Sequence, residues 1–92
     1  MFVLVCFDIV DDRTRYRVVK TLKGYGVRVQ KSVFECPGMT EHKFLKMVSI
    51  LEDIIDHAED TVRYYQLCAA CVKAVEFSGT GRQPDIRKYA VA

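Results

Sequence analysis

The chain opens with an apolar segment, from Phe2 to Val10, in which Asp8 is the only charged residue. A short run of this kind, rich in valine and phenylalanine, is typical of a strand that is buried on both faces. Alternation along the strand places Asp8 on one face and Phe7 and Ile9 on the other. The chain offers only two helical segments, which would cover one face of a small sheet. We therefore expect the second face to meet another copy of the chain, with Asp8 at or near that contact.

A helix is predicted next, from about Arg13 to Leu22 or Lys23, because apolar residues recur there at helical spacing. Asp11-Asp12 supplies its cap, and Gly24 is expected to end it in a left-handed conformation. Arg15 falls inside the apolar stripe of this helix, where an arginine needs an anionic partner or a ligand. The end of the first strand, where Asp8 lies, is near it in the chain.

The rest of the chain combines further strands with one more helix. The segment from Val27 to Cys36 is either one bent strand or two short strands that turn at Lys31-Ser32. A second helix begins after the cap residue Thr40. The pattern then predicts a helix over about Glu41–Asp56, a strand over Thr61–Leu67 and another strand within Val72–Ser78.

This order of elements predicts an α+β sandwich, in which two helices pack on one face of an antiparallel sheet of four to five strands. Residues 1–78 are expected to form its single domain. Residues 79–92 are interpreted as a C-terminal extension that starts with the turn at Gly79-Thr80-Gly81. A strand over Ile86–Val91, lying at a dimer interface, is one interpretation of its last segment.

Charge is distributed unevenly along the chain, although the net charge is only +2. Seven basic residues and no acidic one lie between Arg13 and Lys31, whereas residues 41–60 contain six acids and two lysines. One side of the molecule should therefore be positive, which suits a polyanion such as nucleic acid. The alternative is a helix face that is simply solvated.

No targeting or membrane segment is expected, since the apolar start is too short for a membrane span and lacks a basic leader. The expected compartment is the cytoplasm, where the four cysteines, Cys6, Cys36, Cys68 and Cys71, should be reduced thiols. The Cys68-x-x-Cys71 motif could provide only half of a tetrahedral zinc site. A redox motif would begin a helix that follows a strand in a thioredoxin-type unit, a context that is absent here, so both cysteines are interpreted as core residues.

Asp8 is the most informative candidate for chemistry. A carboxylate that interrupts a buried strand is costly unless it is paired, hydrogen-bonded or bound to a metal. One interpretation is structural, with Asp8 capping a loop or pairing with Arg15 to end the strand. The other is a ligand for Mg²⁺ or Mn²⁺, which prefer oxygen donors and often take only one or two protein carboxylates. A dimer with Asp8 near its two-fold axis would supply one carboxylate from each chain.

Several of these segments together resemble the Cas-two family of CRISPR-associated proteins. They are Phe7-Asp8-Ile9, the acidic turn Asp11-Asp12 with the basic helix after it, the stretch from Gly24 to Cys36, and Tyr65 to Cys71. The resemblance covers about residues 1 to 78. It implies a ferredoxin-like fold and a homodimer whose sheets face each other. Many members have tyrosine before the aspartate, so a contact made by that hydroxyl is lost at Phe7.

The resemblance also implies functions for individual residues. Asp8 corresponds to an aspartate credited with binding a divalent metal, and Arg15, Arg17, Arg28 and Phe34 correspond to residues implicated in family nucleases. The family's role is adaptation, in which the dimer bridges two dimers of the Cas-one integrase while new spacers are captured. Members differ in whether they cut RNA, duplex DNA or nothing measurable.

The resulting hypothesis is a homodimeric, metal-dependent endonuclease of spacer acquisition that hydrolyses phosphodiesters in RNA or DNA. Asp8 would hold the metal, Arg15 and Arg28 would steady the phosphate, and Phe34 would belong to the same site. A further set of basic residues would grip the flanking backbone: Arg13, Arg17 and Lys20. The alternative is a non-catalytic nucleic-acid-binding bridge between integrase dimers, in which Asp8 is structural. A ribonuclease toxin on the same fold is a third interpretation.

Overall fold

In residues 1–81, the amphipathic pattern of the sequence forms four strands, two long helices and one short helix. The structure is a computed structural model that describes residues 1–81 and Pro84. Its elements are β1 (Phe2–Asp8), α1 (Asp12–Leu22), β2 (Val27–Gln30), β3 (Val33–Cys36), α2 (Glu41–Ile54), β4 (Thr61–Leu67) and α3 (Ala69–Lys73).

The strands form one antiparallel sheet in the order β2-β3-β1-β4. Strand β1 is central and pairs with β4 over its whole length, from Phe2 opposite Leu67 to Asp8 opposite Thr61. A helix connects β1 to β2, and another connects β3 to β4, which gives the ferredoxin-like order of elements. The predicted α+β, ferredoxin-like class is confirmed, and the described residues form four of the predicted four to five antiparallel strands.

The core lies between the sheet and the two long helices. Alternate residues of β1 and the residue after it are buried on this side: Val3, Val5, Phe7 and Ile9. They belong to one apolar cluster with the inward residues of the helices, Val18, Val19, Leu22, Met47 and Leu51. Burial of such side chains stabilises each by about 1.5–3 kcal/mol relative to exposure. Helical and strand periodicity therefore place the core where the sequence predicts it.

Both predicted helix caps are present. The Asp11 carboxylate accepts a hydrogen bond from the Thr14 amide at 2.9 Å, and the Thr40 hydroxyl accepts one from the Lys43 amide at 3.1 Å. The hydrogen bonds from the amide and hydroxyl of Thr14 lower the pKa of the Asp11 carboxyl group. These contacts satisfy amide groups that have no acceptor within the helix, which fixes where each helix begins.

The prediction that Gly24 ends α1 in a left-handed conformation is wrong. Among the described glycines, only Gly38 and Gly79 have positive φ. The chain instead leaves the helix through tight turns, in which the amide of Gly24 donates to the carbonyl of Thr21 and that of Tyr25 to the carbonyl of Leu22. The last carbonyl groups of α1 are satisfied by this tightening, so no left-handed residue is needed.

Two further differences concern the strands. The segment from Val27 to Cys36 forms two strands that turn at Lys31-Ser32, which settles an open alternative. The strand predicted within Val72–Ser78 is wrong, since Ala69–Lys73 is the short helix α3. Alanine is the strongest helix former, and Ala69-Ala70 outweighs the β-branched residues that follow. The strand suggested for Ile86–Val91 lies outside the described residues.

Neither of the two long helices in the described part of the chain covers the second face of the sheet. Register places Leu4 in one row with Glu35 and Tyr65, and Cys6 in the next row with Val33 and Arg63. We call this surface, formed by Leu4, Cys6, Asp8, Val33, Glu35, Thr61, Arg63 and Tyr65, the open face. Its side chains are half-buried or exposed, in contrast to the buried residues on the helix side.

Gly26 provides a test of the sheet geometry. A Cβ atom added there would collide with the Glu35 carbonyl oxygen and lie 2.7 Å from Cys36 Sγ, whereas one added at Gly24 would meet nothing closer than 3.3 Å. We expect Gly26→Ala to lower the free energy of unfolding by about 1–3 kcal/mol, because β2 must shift away from β3. Urea denaturation measures this, with Gly24→Ala as the matched control. Equal stability of the two variants would contradict the close approach of Gly26 to β3.

Candidate functional site

Asp8 is the last residue of β1 and is exposed. The expectation of a carboxylate inside a buried strand is therefore wrong for a single chain, because Asp8 belongs to the open face. No hydrogen bond or ion pair links its carboxylate to another side chain in the part of the chain that the structure describes. The interpretation in which Asp8 pairs with Arg15 is not observed. Asp8 thus presents free oxygen acceptors at a defined strand end.

Arg15 fixes the backbone that follows Asp8. Its guanidinium donates to the carbonyl of Ile9 at 2.9 Å and to that of Val10 at 3.3 Å. It also forms an ion pair with Asp12 at 2.6 Å, and its side chain is 31% exposed. The anionic partner that the sequence required for Arg15 is thus Asp12, and two carbonyl groups complete its contacts. Arg15 acts on the backbone after Asp8 and leaves the Asp8 carboxylate free.

Asp60 holds the same segment from the other side, and sequence reasoning missed it. One carboxylate oxygen accepts from the Val10 amide at 3.0 Å, and the other accepts from the Asp56 amide at 2.9 Å. Asp60 therefore ties the loop after β1 to the loop before β4. The available signal was the position of Asp60 in an acidic turn, one residue before a strand. This signal does not distinguish an acid that accepts backbone hydrogen bonds from one that is only solvated.

The structure does not bring Arg28 and Phe34 into one cluster with Asp8. Arg28 pairs in register with Phe34, which lies on the helix side of the sheet, opposite to the face of Asp8. Its guanidinium donates twice to the Lys31 carbonyl, at 3.1 and 2.6 Å, across the β2–β3 turn. Phe34 is fully buried, with its ring 6.3 Å from that of Phe7. Any effect of Phe34 on cleavage must act through the packing of β1 and β3.

The predicted backbone-binding residues lie on α1. Arg13, Arg17 and Lys20 are all exposed. Arg17 and Lys20 line a shallow groove between α1 and α2, which also contains Asp53. This acid weakens the positive potential of the groove. The charge of α1 is therefore available to a polyanion on the helix layer, whereas Asp8 lies on the open face.

The cysteines separate into two classes. Cys36 is fully buried, and burial raises the pKa of its thiol to about 11. The interpretation of Cys68 and Cys71 as core residues is wrong, because both are exposed. They follow strand β4 and begin helix α3, although the surrounding fold is ferredoxin-like and not the thioredoxin-type unit expected of a redox motif.

Metal coordination within one chain is limited. Among the described residues, no group of three or more histidine, cysteine, aspartate or glutamate side chains is arranged to hold a metal ion. Asp8 offers one hard oxygen donor per chain. A hard cation held by such a donor would keep water ligands or take a donor from elsewhere.

The helices leave no candidate for a membrane span. None of those described in residues 1–81 is both long and apolar enough to cross a bilayer.

The role of Arg15 is testable by comparison with Arg17. We expect Arg15→Ala to lower the free energy of unfolding by about 1–2 kcal/mol, because the Ile9 and Val10 carbonyls lose a charged donor. Arg17→Ala removes an exposed arginine from the same helix and should change stability by less than about 0.5 kcal/mol. Chemical denaturation measures both variants. A larger loss for Arg17→Ala would show that Arg15 does not fix the loop.

Comparison with known protein families and relatives shows the family of this chain. A model of the family described as CRISPR associated protein Cas2 matches residues 1–75. The CRISPR-associated endoribonuclease Cas2 3 of Chloroflexus aurantiacus is 42% identical over 81 residues, which cover 88% of this chain and 86% of the relative.

Solved structures agree with this relationship. The crystal structure of Streptococcus pyogenes Cas2 has a TM-score of 0.77 and 36% identity, covering 86% of this chain and 100% of that one. A chain of a partial Cas6-RT-Cas1–Cas2 complex has a TM-score of 0.73 and 30% identity, covering 91% of this chain and 90% of that one. Since sequence and fold agree over most of its length, the chain belongs to the CRISPR associated protein Cas2 family.

Proposed function

We propose that this Cas2-family chain acts as a homodimeric, divalent-metal-dependent endonuclease in CRISPR spacer acquisition. The observation that carries the proposal is Asp8, an exposed carboxylate without a side-chain partner in the described residues, on a strand end that two other side chains immobilise. A relative in the same family is named an endoribonuclease.

Dimer formation is supported by the character of the open face. It contains the apolar or weakly polar residues Leu4, Cys6, Val33 and Tyr65, and no long helix covers it. A two-fold interface pairs the same surface of two copies, so an acidic side chain of one copy can meet a basic side chain of the other. Glu35 and Arg63 supply these charges. The pKa of the Glu35 carboxyl group is raised by desolvation within the single chain.

A metal site fits Asp8 on the chemistry of its donors. A carboxylate that accepts no other hydrogen bond from a side chain has its lone pairs available to a hard cation, and Mg²⁺ or Mn²⁺ commonly takes one or two carboxylates. Asp8 of two chains facing each other would supply two. When bound, the metal supplies a water of lowered pKa and neutralises charge on the phosphate.

The other residues of the chain position this chemistry. Arg15 and Asp60 hold the Ile9–Val10 backbone, so that Asp8 is presented without the cost of ordering a loop. Arg28 does not cluster with Asp8, so its role in this proposal is to steady a phosphate at a distance from the Asp8 carboxylate, through the N–H donors that the Lys31 carbonyl does not use. Phe34 supports the site from the core, and Arg13, Arg17 and Lys20 bind flanking backbone without reading sequence.

In this proposal, the reaction is in-line attack of water on a backbone phosphorus. The attacking water loses a proton to solvent or a phosphate oxygen, and the leaving oxygen takes one up as its bond to phosphorus breaks. The substrate is RNA or DNA. The arginines contribute electrostatic stabilisation as charge grows on the phosphate oxygens.

The second candidate is a non-catalytic bridge that binds nucleic acid and a Cas1 integrase. A solved complex that contains Cas1 together with a Cas2 chain of similar fold favours this partner. Such a role uses the same open face and the same basic helix, while Asp8 becomes structural. The two functions differ only in whether the protein cleaves nucleic acid when a metal is present.

The endonuclease proposal is tested with Asp8→Asn. We expect metal-dependent cleavage of RNA or DNA to fall by about 100-fold or more, because an amide oxygen binds a hard cation weakly. The fold should remain intact, since the Asp8 carboxylate forms no hydrogen bond or ion pair with a side chain of the described residues. Glu59→Gln removes an exposed carboxylate elsewhere and serves as the matched control.

Sedimentation of the same proteins shows their state of association. A dimer at micromolar concentration is expected for all three, and a monomeric wild type would contradict the homodimer. Wild-type cleavage by Asp8→Asn would exclude the metal-ligand role. If the wild type cuts neither RNA nor DNA with Mg²⁺ or Mn²⁺, the bridge is the function.

Nucleic-acid binding is tested by its dependence on salt. We expect Arg17→Ala to weaken binding about equally for unrelated sequences, because phosphate contacts carry no sequence information. The slope of log K against log salt should decrease by about one contact. Lys46→Ala on α2 removes an equal charge from the acidic part of the chain and serves as the control. If affinity and slope are unchanged in Arg17→Ala, the basic face of α1 is only solvated.

A further inference from the structure

Two exposed cysteines lie together where β4 passes into α3. Cys68 is the residue that precedes the helix, and Cys71 lies in its first turn. Their sulfur atoms are hydrogen-bonded at a distance of 3.5 Å. A disulfide requires the two Cβ atoms to lie about 3.5–4.5 Å apart. Because Cys68 precedes the helix and has an extended backbone, a small adjustment of this residue together with rotation of both side chains can bring the sulfurs to bonding distance.

The other two cysteines provide an internal comparison. Cys36 is fully buried, and burial first, then the nearby charge of Glu35, raises the pKa of its thiol to about 11. Cys6 is half-buried on the open face, and no second cysteine is paired with it in the sheet register. Reactive cysteines are exposed and carry groups that stabilise the thiolate. Among the described cysteines, Cys68 and Cys71 are the exposed ones, and Cys68 also has neighbouring groups that stabilise its thiolate.

We infer that Cys68 and Cys71 form a redox-active dithiol that low-molecular-weight disulfides oxidise reversibly to an intramolecular disulfide. The inference is independent of the nuclease proposal. The proposed modification site lies in α3 and the residue before it. This segment packs against β4 and is distant from Asp8 along the chain.

Cys68 is the attacking residue. Hydrogen bonds from the backbone amide of Cys71, and then from its thiol, lower the pKa of the Cys68 thiol, while the same contact raises that of Cys71. The Cys68 thiolate attacks one sulfur of the small disulfide, forms a mixed disulfide and releases one thiolate. Cys71 then gives up its proton and attacks Cys68 Sγ, which releases the second thiol. The protein loses two protons and two electrons, and the small disulfide gains them as two thiols.

A zinc site is less consistent with the surroundings. Two thiolates fill half of a tetrahedral coordination shell. In the described part of the chain, no third or fourth histidine, cysteine, aspartate or glutamate joins them in an arrangement that could hold a metal. The described residues around the pair therefore favour a dithiol over a zinc site.

Oxidation would stabilise the turn between β4 and α3. A helix of five residues is too short to be stable by itself, and α3 is retained through the fully buried Val72 and a few backbone hydrogen bonds. A link between Cys68 and Cys71 restricts the unfolded alternatives of this turn. The redox state thus sets how firmly the chain after β4 is held.

The test uses the full chain in buffers containing reduced and oxidised glutathione, followed by alkylation of free thiols and intact mass measurement. In oxidising buffer we expect two thiols of the wild type to become protected, with a mass loss of two hydrogens, and reductant to restore them. Cys71→Ser should instead trap one glutathione on Cys68, and Cys68→Ser should form its adduct more slowly at neutral pH. Cys6→Ser should retain the protection of the wild type.

Circular dichroism of each variant confirms that the fold is retained. Three results would overturn the inference. They are a mass loss of two hydrogens that persists in Cys68→Ser or Cys71→Ser, oxidation that yields only disulfide-linked dimers through Cys6, and stoichiometric zinc in the reduced protein that protects both thiols.

Discussion

Strand β1 places the other elements of this fold, because it is hydrogen-bonded to β3 on one side and to β4 on the other. Its alternate residues are buried against the helices, so a slip of one residue would expose Val3, Val5 and Phe7 to solvent. The same register puts Asp8 on the open face at the end of the strand. The position of the candidate site is therefore a consequence of how the core is formed.

Immobilisation of the residues after β1 comes from two side chains with opposite hydrogen-bonding roles. Arg15 donates to carbonyl groups of Ile9 and Val10, and Asp60 accepts from the amide of Val10. Each takes part in a second contact, with Asp12 and Asp56 respectively, which limits its own freedom. A strand end that is held on both sides keeps Asp8 in place without involving its carboxylate. This arrangement leaves the carboxylate available while the backbone is rigid.

The sequence predicts those features that depend on periodicity and on local capping. The alternation in β1, the caps at Asp11 and Thr40 and the extent of β4 are all of this kind, and the structure confirms them. Features that depend on contacts between distant segments were missed or wrong. The bond from Val10 to Asp60 spans 50 residues, and no local pattern indicates it. The strand predicted within Val72–Ser78 is absent, because pairing needs a neighbouring strand, and the described sheet ends at β4.

The two outer strands of the sheet differ in their ability to accept further strands. Strand β2 has four residues, all exposed, with an irregular register beside Arg28, and these features oppose the addition of another chain. Strand β4 is regularly paired with β1 over all seven residues, and the described sheet ends there. Growth of the sheet by strand addition is therefore directional. A strand from this chain or from another can extend it beside β4, whereas the opposite side resists the edge-to-edge pairing that leads to aggregation.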